Sequence, residues 1–178
     1  NTLQDDRERM EMMIELGREL NKTLPHQSIP YLNSALILAE KQENLDASYQ
    51  ISSLIGASYD AQGNHNKAVS AYRKAAEIAE SSHNKEFQSM AYLKVGDTYS
   101  TLRKFDVAII YYIKAKRIYE AQRNQELLGQ TLKKIAISHH ANNRMDAAIQ
   151  YNLLALDALS SFKGSENFAE GLENLGEL

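Results

Sequence analysis

Apolar residues recur along this chain with a helical spacing, broken at short polar turns. From Ala47 to Ala61 the apolar positions Ala47, Ile51, Leu54, Ile55 and Tyr59 follow a 3.6-residue period, and from Lys67 to Ala79 so do Ala68, Val69, Tyr72, Ala75, Ala76 and Ala79. Between them lies Gln62-Gly63-Asn64-His65. Gly63 can take the left-handed conformation that ends a helix, and Asn64 can start the next. The pattern therefore predicts a helix hairpin.

The same hairpin recurs. Gly56, Gly96, Ala136 and Gly176 are 40 residues apart, as are Ala68, Ala108 and Ala148, and Ala35, Ala75, Ala115 and Ala155. Large residues keep step: Ile55, Val95, Ile135 and Leu175; Tyr59 and Tyr99, with His139 third; and Tyr72 and Tyr112, with Leu32 before them and Asn152 after. Asn44, Asn84 and Asn124 mark one point in three successive units. A fixed period of this length is the mark of a stacked repeat rather than of one globular core. The small residues are expected where two antiparallel helices approach closely, with Tyr59 and Tyr72 filling the space beside them.

The segment Leu54-Ile55-Gly56 through Tyr59, Gly63, Ala68, Tyr72 and Ala75 resembles the tetratricopeptide repeat family, whose pattern is Leu-Gly, Tyr, Gly, Ala, an aromatic and Ala. Val95-Gly96 through Tyr99, Phe105, Ala108, Tyr112 and Ala115 matches comparably, and Ile135 to Ala155 more weakly. The closing proline of the usual repeat is absent, with Glu80, Glu120 and Ser160 at the matching points, so the second helix can run on. That lengthened form resembles arrays in bacterial regulatory and signalling proteins. HEAT and armadillo repeats share the length but not this register. The resemblance implies an all-α fold, an α-solenoid of about four antiparallel helix hairpins plus a C-terminal helix. The units are expected at about 5–43, 44–83, 84–123 and 124–163, with a partial fifth at 164–178, all in one array.

The ends are less regular. Leu16-Gly17 stands 39 residues before Ile55-Gly56, so one residue is missing near Leu24. Pro25 suits a first helical turn, whereas Pro30 is expected to strain the helix and displace the first hairpin. The charged helix from about Asp5 to Leu20 reads as a solvent-facing cap. At the other end Phe168, Leu172 and Leu175 share a face opposite Glu166, Glu170, Glu173 and Glu177, half a hairpin. Either this helix caps the array or the natural chain continues; the missing initiator Met favours a piece of something longer.

Composition removes several classes of function. There is no cysteine, hence no disulfide, thiolate site or cysteine nucleophile. No apolar run reaches the length of a membrane helix, and the polar start is not signal-like, so a soluble chain is expected, with cytoplasm and periplasm both open. The sequence holds no phosphate loop, nucleophile elbow or zinc-helix motif, so no enzyme, metal or cofactor is expected. Among five histidines, the adjacent His139 and His140 point about 100° apart on a helix and cannot share a metal there. Of ten tyrosines, Tyr49, Tyr59, Tyr72, Tyr92, Tyr99 and Tyr112 fall at packing positions, and Tyr111 and Tyr151 one residue off that stripe.

A net charge of -3 does not suit nucleic acid binding, but it hides opposed blocks. Residues 1–45 sum to -3, 86–125 to +3 and 166–178 to -4. In the family, the first helix of each hairpin lines a concave groove, and the matching residues here are Gln50, Ser53, Ala57 and Asp60; Met90, Leu93, Asp97 and Ser100; Gln130, Lys133, Ile137 and His140. Family members that clamp a peptide carboxylate carry Asn where this chain has Ala57, Asp97 and Ile137, so that activity is not expected. The resemblance implies a non-catalytic module that binds a peptide or partner protein, within a larger regulatory protein. The alternative is a self-assembling scaffold, the acidic C-terminal helix of one copy docking on the basic middle of another.

Overall fold

The computed structural model describes residues 2–160, in eight α-helices: α1 (Thr2–Thr23), α2 (Pro25–Lys41), α3 (Leu45–Ala61), α4 (His65–Ser81), α5 (Lys85–Thr101), α6 (Phe105–Gln122), α7 (Gln125–Ala141) and α8 (Met145–Leu159). The described residues form an all-α helical repeat. The partial fifth unit, with its Phe168 and Glu170 faces, lies outside the described residues.

Helix starts are spaced by twenty residues, at 25, 45, 65, 85, 105, 125 and 145. The turns between hairpins are therefore built like the turns within them. From α2 onward one residue in each turn is left-handed: Glu43, Gly63, His83, Arg103, Arg123 and Asn143, with φ between 52° and 71°. Five of these six turns close with a paired backbone bond, as where Asn64 N–H reaches Tyr59 O and Gly63 N–H reaches Asp60 O, both at 2.8 Å. The next residue then caps the following helix. Asn44, Asn64, Asn84 and Asn124 accept from the backbone N–H three residues on, at 3.0, 3.4, 3.1 and 3.1 Å. Lys104 and Arg144 hold the same place without a side-chain cap.

The deleted residue falls in the first turn, where Leu24 alone joins α1 to α2 and no left-handed residue occurs. Pro25 opens α2, and Pro30 lies inside it without ending it. At the sixth helical position Pro30 removes one N–H, and the helix continues because α2 is packed against both α1 and α3. The first helix is also longer than its charge pattern suggests, since ion pairs Arg7–Glu11, Arg18–Glu15 and Lys22–Glu19 line its exposed face.

Helix contacts divide the chain after Ala91, inside α5, into two compact units. In the first, Met10, Ile14, Leu32, Ala35, Leu36, Ala39, Ile51 and Ile55 form the core. Ser28 and Ser58 share a buried hydrogen bond of 2.6 Å beside it. In the second, Ala108, Ile109, Tyr112 and Ile135 form one core cluster, with Leu93, Tyr99, Ile113 and Tyr151 packed around it.

The repeat glycines sit under side chains of the second helix, not against its alanines. A Cβ on Gly56 would lie 2.5 Å from Tyr72 Cε1, one on Gly96 2.5 Å from Tyr112 Cε1, and one on Gly17 2.5 Å from Leu32 Cδ2. Where the fourth repeat has Ala136, the matching position of its second helix holds the smaller, buried Asn152. Loss of the ring and gain of the methyl go together.

Candidate functional site

The residues expected to line a binding face fall on α3, α5 and α7, and none of them is in the core. Gln50, Met90, Ile137 and His140 are exposed; Ser53, Ala57, Asp60, Leu93, Asp97, Ser100, Gln130 and Lys133 are half-buried. In the first unit Asp60 Oδ1 lies 2.9 Å from Nδ1 of His65, the residue that opens α4.

The second unit has a more developed constellation. Tyr112, on α6, is held by its ring against Gly96, and its phenol emerges at the next residue of α5, donating to Asp97 Oδ1 at 2.9 Å. The same oxygen accepts from Lys134 Nζ of α7 at 2.7 Å, and that ammonium lies 5.9 Å from the Tyr112 ring centroid. The pair brings α5 and α7 side by side. Burial, then the charge of Asp97 and its hydrogen bond, push the Tyr112 phenol well above its ordinary pKa. It remains a neutral donor. Asp97 therefore serves as an acceptor anchored from two sides.

Around this cluster the surface mixes characters. Ile137 leaves 46% of its surface exposed, a turn beyond Lys133, and Leu93 lies a turn before Asp97. Toward the end of α7, His139 stacks on Tyr151 with ring centroids 5.3 Å apart. Arg144 and Asn142 converge on Asp106 at 2.7 and 3.1 Å. Burial and the Arg144 charge lower the His139 pKa, against a smaller opposite effect of Asp106. Tyr49, Tyr72, Tyr92 and Tyr112 are buried, while Tyr59, Tyr99, Tyr111 and Tyr151 are half-buried. His83 occupies a left-handed turn position. Among the described residues, no three His, Asp or Glu side chains are placed to hold a metal ion. No helix among them is long and apolar enough to cross a membrane.

Neither the Asp97–Lys134 pair nor the hollows of the first unit is marked by a sequence motif. One hollow, of about 410 Å³, is lined by Glu40, Glu43, Leu45, Ser48, Lys74 and Ile78; another, of about 340 Å³, lies between α2, α3 and α4. The signal for the pair was its spacing of 37 residues, just under one repeat.

Comparison with known proteins places these helices. Residues 48–121 match the tetratricopeptide repeat family model. No curated protein matches the sequence. Among solved structures, apo RapI superposes with a TM-score of 0.86 at 19% identity, over 96% of this chain and 48% of that one. A Rap protein complexed with competence and sporulation factor gives 0.75 at 18%, over 96% and 51%. The nearly identical TPR-like repeats of a Podosopora anserina protein classed with kinesin light chains give 0.78 at 12%, over 95% and 84%. This chain spans about half the length of the two Rap structures. The helix hairpins and their glycine–tyrosine packing agree with the tetratricopeptide match over residues 48–121, and the solved structures share the fold.

Proposed function

We propose that the chain is a protein-binding module without catalytic activity, and that the exposed side of α5 and α7 in the second unit is its main contact surface. One observation carries this reading: Ile137 stands as an exposed apolar group, with half-buried Leu93, on the helices that carry Lys133 and the Asp97–Lys134 pair. Such a surface suits a peptide carrying both apolar and charged side chains, extended or helical. Ser100, Gln130 and His140 are the further contact positions of this unit. Asp97 is a carboxylate that accepts from Tyr112 and Lys134, so it cannot supply the amide donor that a carboxylate clamp needs.

The Rap structure holding competence and sporulation factor supports a regulatory setting for such repeats. On that ground, and on the 40-residue repeat, we place the chain as the repeat portion of a larger bacterial regulatory or signalling protein. The test is a peptide array probed with the full chain and with Lys133→Ala, Ile137→Asp and Leu93→Asp variants. Peptides held by the wild type are expected to lose binding to the variants; equal binding by all four proteins removes this face from the account.

A further inference from the structure

The 340 Å³ hollow of the first unit has a counterpart in the second that is filled, and the comparison tells what fits. Its floor is Ser52 and Ile55 of α3, Tyr59 stands at one end, and Lys67, Ala71 and Lys74 of α4 form a wall. Forty residues on, Tyr92 replaces Ser52 and Tyr111 replaces Ala71, while Tyr99 and Lys114 repeat Tyr59 and Lys74. In the second unit the Tyr111 ring stacks on Tyr99 at 5.8 Å between centroids and lies 6.4 Å from Tyr92. Lys114 Nζ sits 5.0 and 5.4 Å from the Tyr92 and Tyr111 centroids. The first unit thus keeps the stacking platform and the cation, and lacks both rings between them.

A second observation points the same way. Ser52 is 1% exposed, and its Oγ has no hydrogen-bond partner among the described residues. Buried serines nearby do find partners: Ser28 Oγ bonds Pro25 O at 2.8 Å, and Ser58 Oγ bonds Leu54 O at 2.9 Å. An unpaired buried hydroxyl is unfavourable, and a ligand group that reaches it relieves the deficit. Lys74 also reaches Glu40 at 2.8 Å, but both side chains are about half exposed, so that pair is weak and yields readily. The volume is at the small end for ligand pockets, suited to one inserted side chain rather than a cofactor.

We propose that this hollow is a receptor for a tyrosine side chain presented by a partner protein. The ring stacks on Tyr59 and lies under Lys74, as Tyr111 does on Tyr99 under Lys114, and polar atoms of the ligand meet Ser52. This site uses the side of the first unit where α2 and α4 flank α3, and is separate from the α5–α7 face proposed above.

The experiment is a titration of the ¹⁵N-labelled full chain with p-cresol and N-acetyl-tyrosinamide, with N-acetyl-leucinamide as control, read by amide chemical shifts. Saturable shifts at Ser52, Tyr59 and Ala71 are expected with both aromatic probes and not with the control. Ala71→Tyr, which copies Tyr111, should fill the hollow and abolish saturation; Ser52→Leu, which copies Leu132, is the second blocking variant if the first fails to fold. Lys74→Gln should weaken binding by about three- to tenfold through the lost cation–π contact. Undiminished binding in the blocking variants, equal binding of the leucine control, or shifts confined to α5 and α7 would overturn the proposal. Because the α5–α7 variants leave this hollow intact, either proposal can fail alone.

Discussion

Replacing Gly96 by alanine isolates what holds a hairpin together. In an exposed helix this change stabilises by about 1 kcal/mol through helix propensity. Here the new Cβ would stand 2.5 and 2.7 Å from Tyr112 Cε1 and Cδ1, well inside contact distance. The ring cannot swing away cheaply, because its hydroxyl is tied to Asp97 at 2.9 Å and the residue is 2% exposed. Overpacking costs about 1–3 kcal/mol, and a clash with two ring carbons belongs at the upper end. The net expectation is a loss of about 2 kcal/mol, or a urea midpoint lower by about 1 M at a typical slope of 2 kcal/mol/M. The fourth repeat suggests the rescue. Adding Tyr112→Asn reproduces its Ala136 and Asn152, so the double-mutant cycle in urea should show coupling of about 1–3 kcal/mol, the alanine being tolerated once the ring is gone. A Gly96→Ala variant as stable as wild type, or strict additivity with Tyr112→Asn, would refute the packing argument.

Further outcomes follow from the turns and the titrating groups. Arg123→Gly and Arg103→Gly should each raise stability by about 1 kcal/mol, visible as a higher melting temperature, since an L side chain in the left-handed region is strained there. Asn124→Ala should cost about 1 kcal/mol by thermal unfolding, and Lys104→Asn should gain a similar amount by supplying a cap that α6 lacks. Ala108→Asp, at a position with no exposed surface, should cost about 3 kcal/mol or more in the same assay. Because folding holds His139 below its ordinary pKa, the unfolded chain binds more protons near pH 6; stability should be full above about pH 6.5 and decline as pH falls, and His139→Phe should flatten that part of the urea-midpoint profile.

The hairpins were legible because burial of one helix face forces a 3.6-residue pattern, and stacking of identical hairpins forces a 40-residue one. Gly56, Gly96, Ala68 and Ala108 could be placed at close contacts for the same reason. Their partners could not: that each glycine faces the aromatic sixteen residues on, rather than the alanine, depends on how the helices roll against each other. The twenty-residue register is faint in the sequence because three of its six left-handed positions carry Glu43, Arg103 and Arg123, residues with no preference for that conformation. Only the asparagine caps carried the signal. Lys134 was visible as a base, but its reach to Asp97 depends on how α7 lies beside α5. The hollow of the first unit was written in departures from the repeat, Ser52 and Ala71 against Tyr92 and Tyr111, whereas a search for matches attends to what recurs.

The central claim, that the α5–α7 side of the second unit is a protein-binding surface, is tested most directly by mapping a bound peptide. A peptide selected on the array would be titrated into the ¹⁵N-labelled full chain. The account predicts saturable amide shifts at Leu93, Asp97, Ser100, Gln130, Lys133 and Ile137, lost in the Ile137→Asp variant. Saturable shifts that leave those residues unmoved, or that survive the variant unchanged, would contradict it.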